Sequence, residues 1–230
     1  IPTKYGQSLT VTENNEMTLH WVSKDHTGNI WFETHIDLTT LGSSNTSKIA
    51  QTLCTILQTA RAHNTSFLKQ SKGLAVLTQL DFPRDWGLGT SSTLINNIAQ
   101  WAQIDGFTLL KESFGGSGYD IAAAQHSTPI FYSLKNSTPH VQPCKLTWSF
   151  TDHLFFVHLN QKQDSKKGIE TYTGKQTDAG LIETISDLSR KTLLCYTLTD
   201  FERIINAHEK KIASLLGQAT VKELLFNDYP

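Results

Sequence analysis

Pro83-Arg84-Asp85-Trp86-Gly87-Leu88-Gly89-Thr90-Ser91-Ser92-Thr93 stands between an apolar run, Gly73 to Phe82, and an amphipathic one, Leu94 to Ile104. A helix that opens on glycines and hydroxyls offers an anion unpaired backbone NH groups, the positive end of its dipole and no Cβ atoms in the way. Phosphate is the guest that this chemistry suits. The same residues also serve as a plain loop and helix cap, because Ser and Thr cap helices without any ligand. The turn is not a Walker loop. No Gly-x-x-x-x-Gly-Lys-Ser/Thr occurs in the chain, and Ser92 stands where a Gly-x-Gly-x-x-Gly motif needs its last glycine.

A second glycine-rich stretch follows: Gly115-Gly116-Ser117-Gly118-Tyr119-Asp120-Ile121-Ala122-Ala123-Ala124. It runs into an Ala-rich helical start with one carboxylate in the first turn, a place where Asp is also favoured by capping and by the helix dipole alone. Together the two stretches resemble a known family. Pro83 to Thr93 is similar to the Pro-x-x-x-Gly-Leu-Gly-Ser-Ser-Ala signature of the GHMP small-molecule kinases, and Gly116 to Ala122 resembles the loop carrying the catalytic aspartate of the mevalonate and phosphomevalonate kinases. The wording Gly-Tyr-Asp-Ile-Ala matches the subgroup called GYDIA family GHMP kinases.

The resemblance implies an α+β fold of two domains, with a ribosomal-protein-S5-like N-terminal domain and a ferredoxin-like C-terminal domain. It implies an ATP- and Mg2+-dependent phosphotransferase. By the same resemblance the backbone of Gly87, Leu88, Gly89, Thr90, Ser91 and Ser92 cradles the nucleotide phosphates, the Ser91 hydroxyl reaches magnesium, and Asp120 is the general base. Ser117 and Gly118 fall at the substrate. Glu112 is the local candidate for the family's second magnesium ligand, though it lies nearer in sequence to Asp120 than in mevalonate kinases, and a solvated surface charge is the other reading. Gln161 to Ile169 resembles a polar segment in which a Ser or Thr faces the substrate. Ser165 is the candidate contact there, with a helix cap flanked by solvated lysines as the alternative.

Away from those loops, Leu9, Val11, Leu19, Trp21, Ile30 and Phe32 alternate with polar residues, and Asp25-His26-Thr27-Gly28 reads as a turn. Period-two patterning of this kind predicts antiparallel strands with one buried face. His20, His26 and His35 read as packing or solvent residues rather than metal ligands. Ile49, Leu53, Ile56, Leu57 and Ala60 share a helical face, with Ser43 to Thr46 as its start. Gly73 to Phe82 is a strand feeding the first glycine turn, and Leu94, Ile95, Ile98 and Trp101 share a helical face beyond it. Pro129 to Leu134 reads as a short strand and Lys135 to Pro139 as a connection. Lys145 to Phe150 and His153 to Leu159 read as strands of a second domain, with the boundary near residue 142. The rest is helical. The domains expected are therefore 1–142, nucleotide-binding, and 143–230.

Bulk properties narrow the classes. A chain of 230 residues can bury a real core. Lys and Arg number 20 against 21 Asp and Glu, a net charge of -1, so nothing in the composition attracts nucleic acid or an anionic membrane. The three cysteines lie far apart without a Cys-x-x-Cys pair, which points to neither a disulfide framework nor a zinc site and fits a reduced cytoplasm. No run approaches the ~20 apolar residues that span a bilayer. The chain opens on Ile1-Pro2, its one methionine is Met17, and the family's opening lysine motif and closing glycine-rich motif have no match, so truncation at both ends is expected.

The expected activity is transfer of the ATP γ-phosphate to a small molecule, mevalonate or phosphomevalonate in isoprenoid precursor synthesis, by a monomer or homodimer. Two alternatives stay open: a kinase for another acceptor such as a sugar or homoserine, and a non-catalytic protein of the GHMP fold that binds a nucleotide or metabolite.

Overall fold

The computed structural model describes residues 2–69, 72–157 and 179–226. The chain divides into two compact units, Ile1–Cys144 and Lys145–Pro230.

In the first unit the period-two stretches form β1 (Gln7–Asn14), β2 (Thr18–Lys24) and β3 (Ile30–Asp37). β2 and β3 pair antiparallel, with His20 opposite His35 and Trp21 opposite Thr34. β1 does not join that hairpin directly. The strand after the first helix, β4 (Gly73–Leu80), inserts between β1 and β2, antiparallel to the former and parallel to the latter, giving the order β1-β4-β2-β3. The purely antiparallel arrangement expected from the alternation is thus corrected to a mixed sheet. Periodicity reports which face a residue takes, not which strand lies beside it.

Leu19, Trp21, Phe32, Ile36, Leu74 and Val76 point to the buried face and enter one core. Two polar residues on that face are satisfied within it, since Ser23 Oγ takes hydrogen bonds from Trp21 Nε1 at 3.0 Å and from Thr78 Oγ1 at 2.9 Å. His20 and His35 stack at 4.4 Å on the opposite face, where Glu33 lies 2.6 Å from His20 Nε2.

The parallel pair β2/β4 needs a crossover, and α1 (Lys48–His63) lies within it. Ser47, one residue past the polar segment expected to start the helix, caps it by accepting from Ala50 N. The buried face is Ala50, Leu53, Cys54, Ile56, Leu57 and Ala60. Ile49, which shares that face by helical period, is nevertheless 45% exposed; it lies two residues past the Ser47 cap, in the first turn of the helix. Arg61 closes the connection. Its guanidinium donates to the carbonyls of Leu38, Thr39, Phe67 and Leu68, which ties the turns on both sides of α1 together.

Three helices follow: α2 (Thr90–Ala102), α3 (Gly106–Ser113) and α4 (Tyr119–Ala124). The unit ends on a hairpin, β5 (Ile130–Lys135) and β6 (Thr138–Pro143), joined through Asn136 and Ser137, both at positive φ. A two-residue turn of that kind suits the twist of paired strands. The sequence reading stopped at a connection over Lys135 to Pro139. Pro139 and Pro143 obscure the second strand, since proline lowers the strand signal and is tolerated only at an edge.

The second unit carries α5 (Ala179–Thr192), α6 (Leu198–Leu216) and α7 (Val221–Leu225), the last two capped by Thr197 and by a Thr220–Glu223 capping box. Lys145 to Phe150, and His153 to Leu159 as far as residue 157, form no strand; a single 3-10 turn, Thr151–His153, lies between them. The aromatic residues that suggest a strand pack instead as rings on α6, with Trp148 4.9 Å and Phe150 5.5 Å from Phe201, and Trp148 Nε1 donates to Thr192 O at 2.9 Å. Among its described residues this unit shows helices and no strand, so the ferredoxin-like sheet expected there is not seen among them. The chain as a whole is α+β, and the sheets among the described residues lie in the first unit. Cys54, Cys144 and Cys195 are free thiols. Among the described residues no helix is long and apolar enough to cross a membrane.

Candidate active site

α2 begins without a side-chain cap. Gly89 occupies the cap position at φ +74, and Gly87 before it is also left-handed at φ +73. The first intrahelical bond is Thr93 N to Gly89 O at 2.9 Å, and among the described residues none accepts from the backbone NH groups of Thr90, Ser91 or Ser92. These are the orphan donors of every helix start, here left open by a residue that has no side chain to fill them. Ser91 is exposed and Ser92 buried.

Both ends of the turn are anchored. On the strand side Phe82 is buried, Gly6 N donates to Asp81 Oδ1 at 2.6 Å, and Trp86 N closes a turn onto Pro83 O. Tyr5 lies edge-on to Phe82 and Trp86, and the Arg84 guanidinium covers the Trp31 ring at 3.6 Å. On the helix side Asn97 Nδ2 donates to Gln7 O at 2.6 Å and Thr93 Oγ1 to Gln7 Oε1 at 3.0 Å.

The second glycine turn is brought to the first. Asn96 of α2, only 3% exposed, accepts at 3.0 Å from Gln125 Nε2 at the end of α4. A Cβ placed on Gly89 would lie 3.1 Å from Asp120 Cγ and 3.4 Å from its Oδ1. The carboxylate therefore rests against the capless end of α2. Asp120 is open to solvent, yet the protein crowded around it disfavours the charged form and raises its pKa above the usual carboxylate value. Tyr119 is shifted upward as well, first by burial and then by the Asp120 charge.

Asp120 is aimed by the backbone in front of it. Gly118 caps α4 at φ +83 and is buried, and a Cβ there would come within 3.0 Å of both Phe107 Cδ1 and Tyr132 Oη. The Tyr132 hydroxyl donates to the Ser117 carbonyl, and the Tyr119 and Tyr132 rings meet edge-on at 6.2 Å. Ser117 itself is exposed. Glu112, on α3, has its Oε2 2.8 Å from His63 Nε2 of α1. Ser165 lies outside the described residues. Among the described residues no cluster of three or more His, Cys, Asp or Glu side chains could hold a metal. A magnesium ion on nucleotide phosphates does not need one, because it keeps several waters and takes only one or two protein ligands.

Sequence reasoning did not single out Asn96, Gln7, Phe107 or Tyr132. Asn96 alone left a trace, as an amide between the apolar helix positions Ile95 and Ile98.

Against solved structures, the chain is similar to the mevalonate kinase of Methanococcus jannaschii, with a TM-score of 0.60 and 12% identity over 91% of this chain and 69% of that one. The chain shares that fold. It is likewise similar to L. major mevalonate kinase in complex with R-mevalonate, with a TM-score of 0.58, 14% identity and coverage of 92% and 66%. A candidate sugar kinase from Campylobacter jejuni gives a TM-score of 0.50 and 17% identity, with coverage of 93% and 64%. The chain thus spans about two-thirds of the length of these structures. No family model matches it, and no curated protein matches it in sequence.

Proposed function

We propose that the chain is a GHMP-type kinase that moves the γ-phosphoryl group of ATP to a small molecule. One observation carries this reading: the Asp120 carboxylate lies within a methyl group's reach of Gly89, at the helix start where backbone donors stand open. An anion site and a carboxylate base in contact are what phosphoryl transfer asks of a protein, since the reaction needs placement and charge stabilisation more than covalent chemistry.

In this reading the amides of Gly87 to Ser92 hold the β and γ phosphates. Where the acceptor is a hydroxyl, Asp120 takes its proton while that oxygen attacks the γ phosphorus in line; where it is a phosphate, an oxygen already without its proton attacks in the same way. The bond from phosphorus to the bridging oxygen breaks and ADP leaves with the electron pair. Ser91 would hold Mg2+, with Glu112 as a weaker second, and the ion would neutralise phosphate charge. Ser117 and Gly118 border the acceptor. Mevalonate or phosphomevalonate is the acceptor we favour, on the Gly-Tyr-Asp wording of the second turn, and the protein acts in the cytoplasm as a monomer or homodimer. A non-catalytic nucleotide-binding role is the second reading, favoured by one observation: Glu112, the carboxylate expected at the metal, is held by His63.

The test is ADP release by the full-length protein with Mg-ATP and, in turn, mevalonate, phosphomevalonate, galactose and homoserine, each beside Asp120→Asn. Turnover of one acceptor, lost in the variant, supports the kinase. ATP binding without turnover of any acceptor supports the second reading.

A further inference from the structure

The Tyr132 hydroxyl reaches out of β5 to the main chain of the second glycine turn, one residue before the cap of α4. Three contacts converge there. The hydroxyl donates to Ser117 O, Tyr132 Oη stands 3.0 Å from where a Gly118 Cβ would be, and Phe107 closes the other side at 3.0 Å. Downstream, the Gly118 carbonyl accepts the first helical bond from Ala122 N at 3.0 Å. The direction in which α4 leaves the turn, and with it the place of Asp120, follows from how this backbone is held. On α4 itself the cap residue is a glycine without a side chain, and the bond from its first residue back into the turn is a long one, Tyr119 N to Ser117 Oγ at 3.4 Å.

We propose that Tyr132 is a positioning residue, whose hydroxyl fixes the Ser117–Gly118 main chain so that Asp120 stands against Gly89. The kinetic part of this inference rests on the kinase reading; the structural part does not. Tyr132→Phe keeps the ring and its contact with Tyr119 and removes only the donor. With that donor gone, the turn relaxes and the carboxylate gains water.

Two measurements on the full-length protein test this. The Asp120 carboxyl, followed by carbon-13 NMR and assigned with Asp120→Asn, should titrate at lower pH in Y132F than in the parent, because solvation favours its charged form. In steady-state kinetics Y132F should lower kcat about 10- to 100-fold, in the range of lost supporting contacts, with KM for ATP held and the acid limb of the pH profile moved to lower pH. An Asp120 titration identical in Y132F and the parent would overturn the proposal, whether or not any acceptor is turned over. A parent inactive on every acceptor counts against the kinase reading alone and leaves the NMR result to decide this one. Should Y132F fail to fold, hydrogen exchange in the unsubstituted chain decides. The amide of Ala122, bonded to Gly118 O, should open together with β5, and free exchange there beside a protected β5 would overturn the role.

Discussion

The two glycine turns of the first unit use the same backbone device for opposite ends. Each delivers a helix whose cap is a left-handed glycine without a side-chain hydrogen bond. At Gly87–Gly89 the missing side chains leave space: nothing lies within 4 Å of a Cβ on Gly87, and what lies near Gly89 is the Asp120 carboxylate. At Gly118 the missing side chain is consumed by packing, with Phe107 and Tyr132 pressed against it. On the proposed function, one turn receives something and the other points something. Glycine at a helix start is therefore no sign of a ligand until its neighbours are known.

The comparison can be broken most severely at the group being pointed. Asp120→Asn should lower kcat about 100- to 10,000-fold, the usual contribution of a positioned base, while calorimetric ATP affinity stays near the parent's. The same variant should melt higher than the parent at pH 7. The sign follows from linkage: a carboxyl with a raised folded pKa binds its proton more readily folded than unfolded, so stability falls as pH rises through the interval between its ordinary and raised values. Removing the charge lifts that burden, and the difference between the melts should close as pH falls below the ordinary carboxylate value, about 3.9. If Asn melts lower than Asp at neutral pH, the carboxylate is not crowded in the way described.

Next come the glycines. Gly118→Ala combines a left-handed φ with a contact at 3.0 Å on both sides, and should destabilise the fold by about 1–3 kcal/mol in denaturant titrations and slow turnover, with ATP binding little changed. Gly89→Ala meets the Asp120 side chain first, at 3.1 Å. It should cost about 1–2 kcal/mol for its φ yet weaken ATP binding and turnover together, because it intrudes on both partners of the site. Equal effects of the two substitutions on ATP affinity would erase the distinction between the turns. On the kinase reading, a smaller effect is expected in the pH profile of the parent. Rate should rise with pH as Asp120 ionises, with its midpoint above the ordinary carboxylate range, and be lost as pH falls through that midpoint. Ser91→Ala, at an exposed position, should be the mildest, raising the magnesium concentration needed for half-maximal rate without moving the melt.

What could be read in advance follows the range of the interaction. The alternation of β1, β2 and β3, the face of α1 and both glycine turns are written in residues a few positions apart, where period and turn chemistry act. Ile49 marks the limit of even that reading, since it shares the buried face of α1 by period yet is exposed in the first turn, and periodicity does not tell how far along a helix the core extends. Strand partners are not local. The place of β4 between β1 and β2 depends on the crossover, and Trp148 and Phe150, spaced like strand residues, found a better surface on Phe201 than a ladder would have given. In the site, the glycines and Asp120 carry their own composition signal. Tyr132 and Phe107 do not, because their work lies in contacts with a turn in another element, beyond the reach of period and turn chemistry.

The late arrival of β4 also bears on how the protein is made. During synthesis β2 and β3 can close their hairpin as soon as Asp37 is free, but β1, already outside, finds its partner only after Leu80, the residue opposite Gln7. Until then both strands that flank the future β4 present unpaired edges, the feature that invites association between nascent chains. Slow translation across α1 would lengthen that exposure, whereas codon-level acceleration between residues 48 and 80 would shorten it.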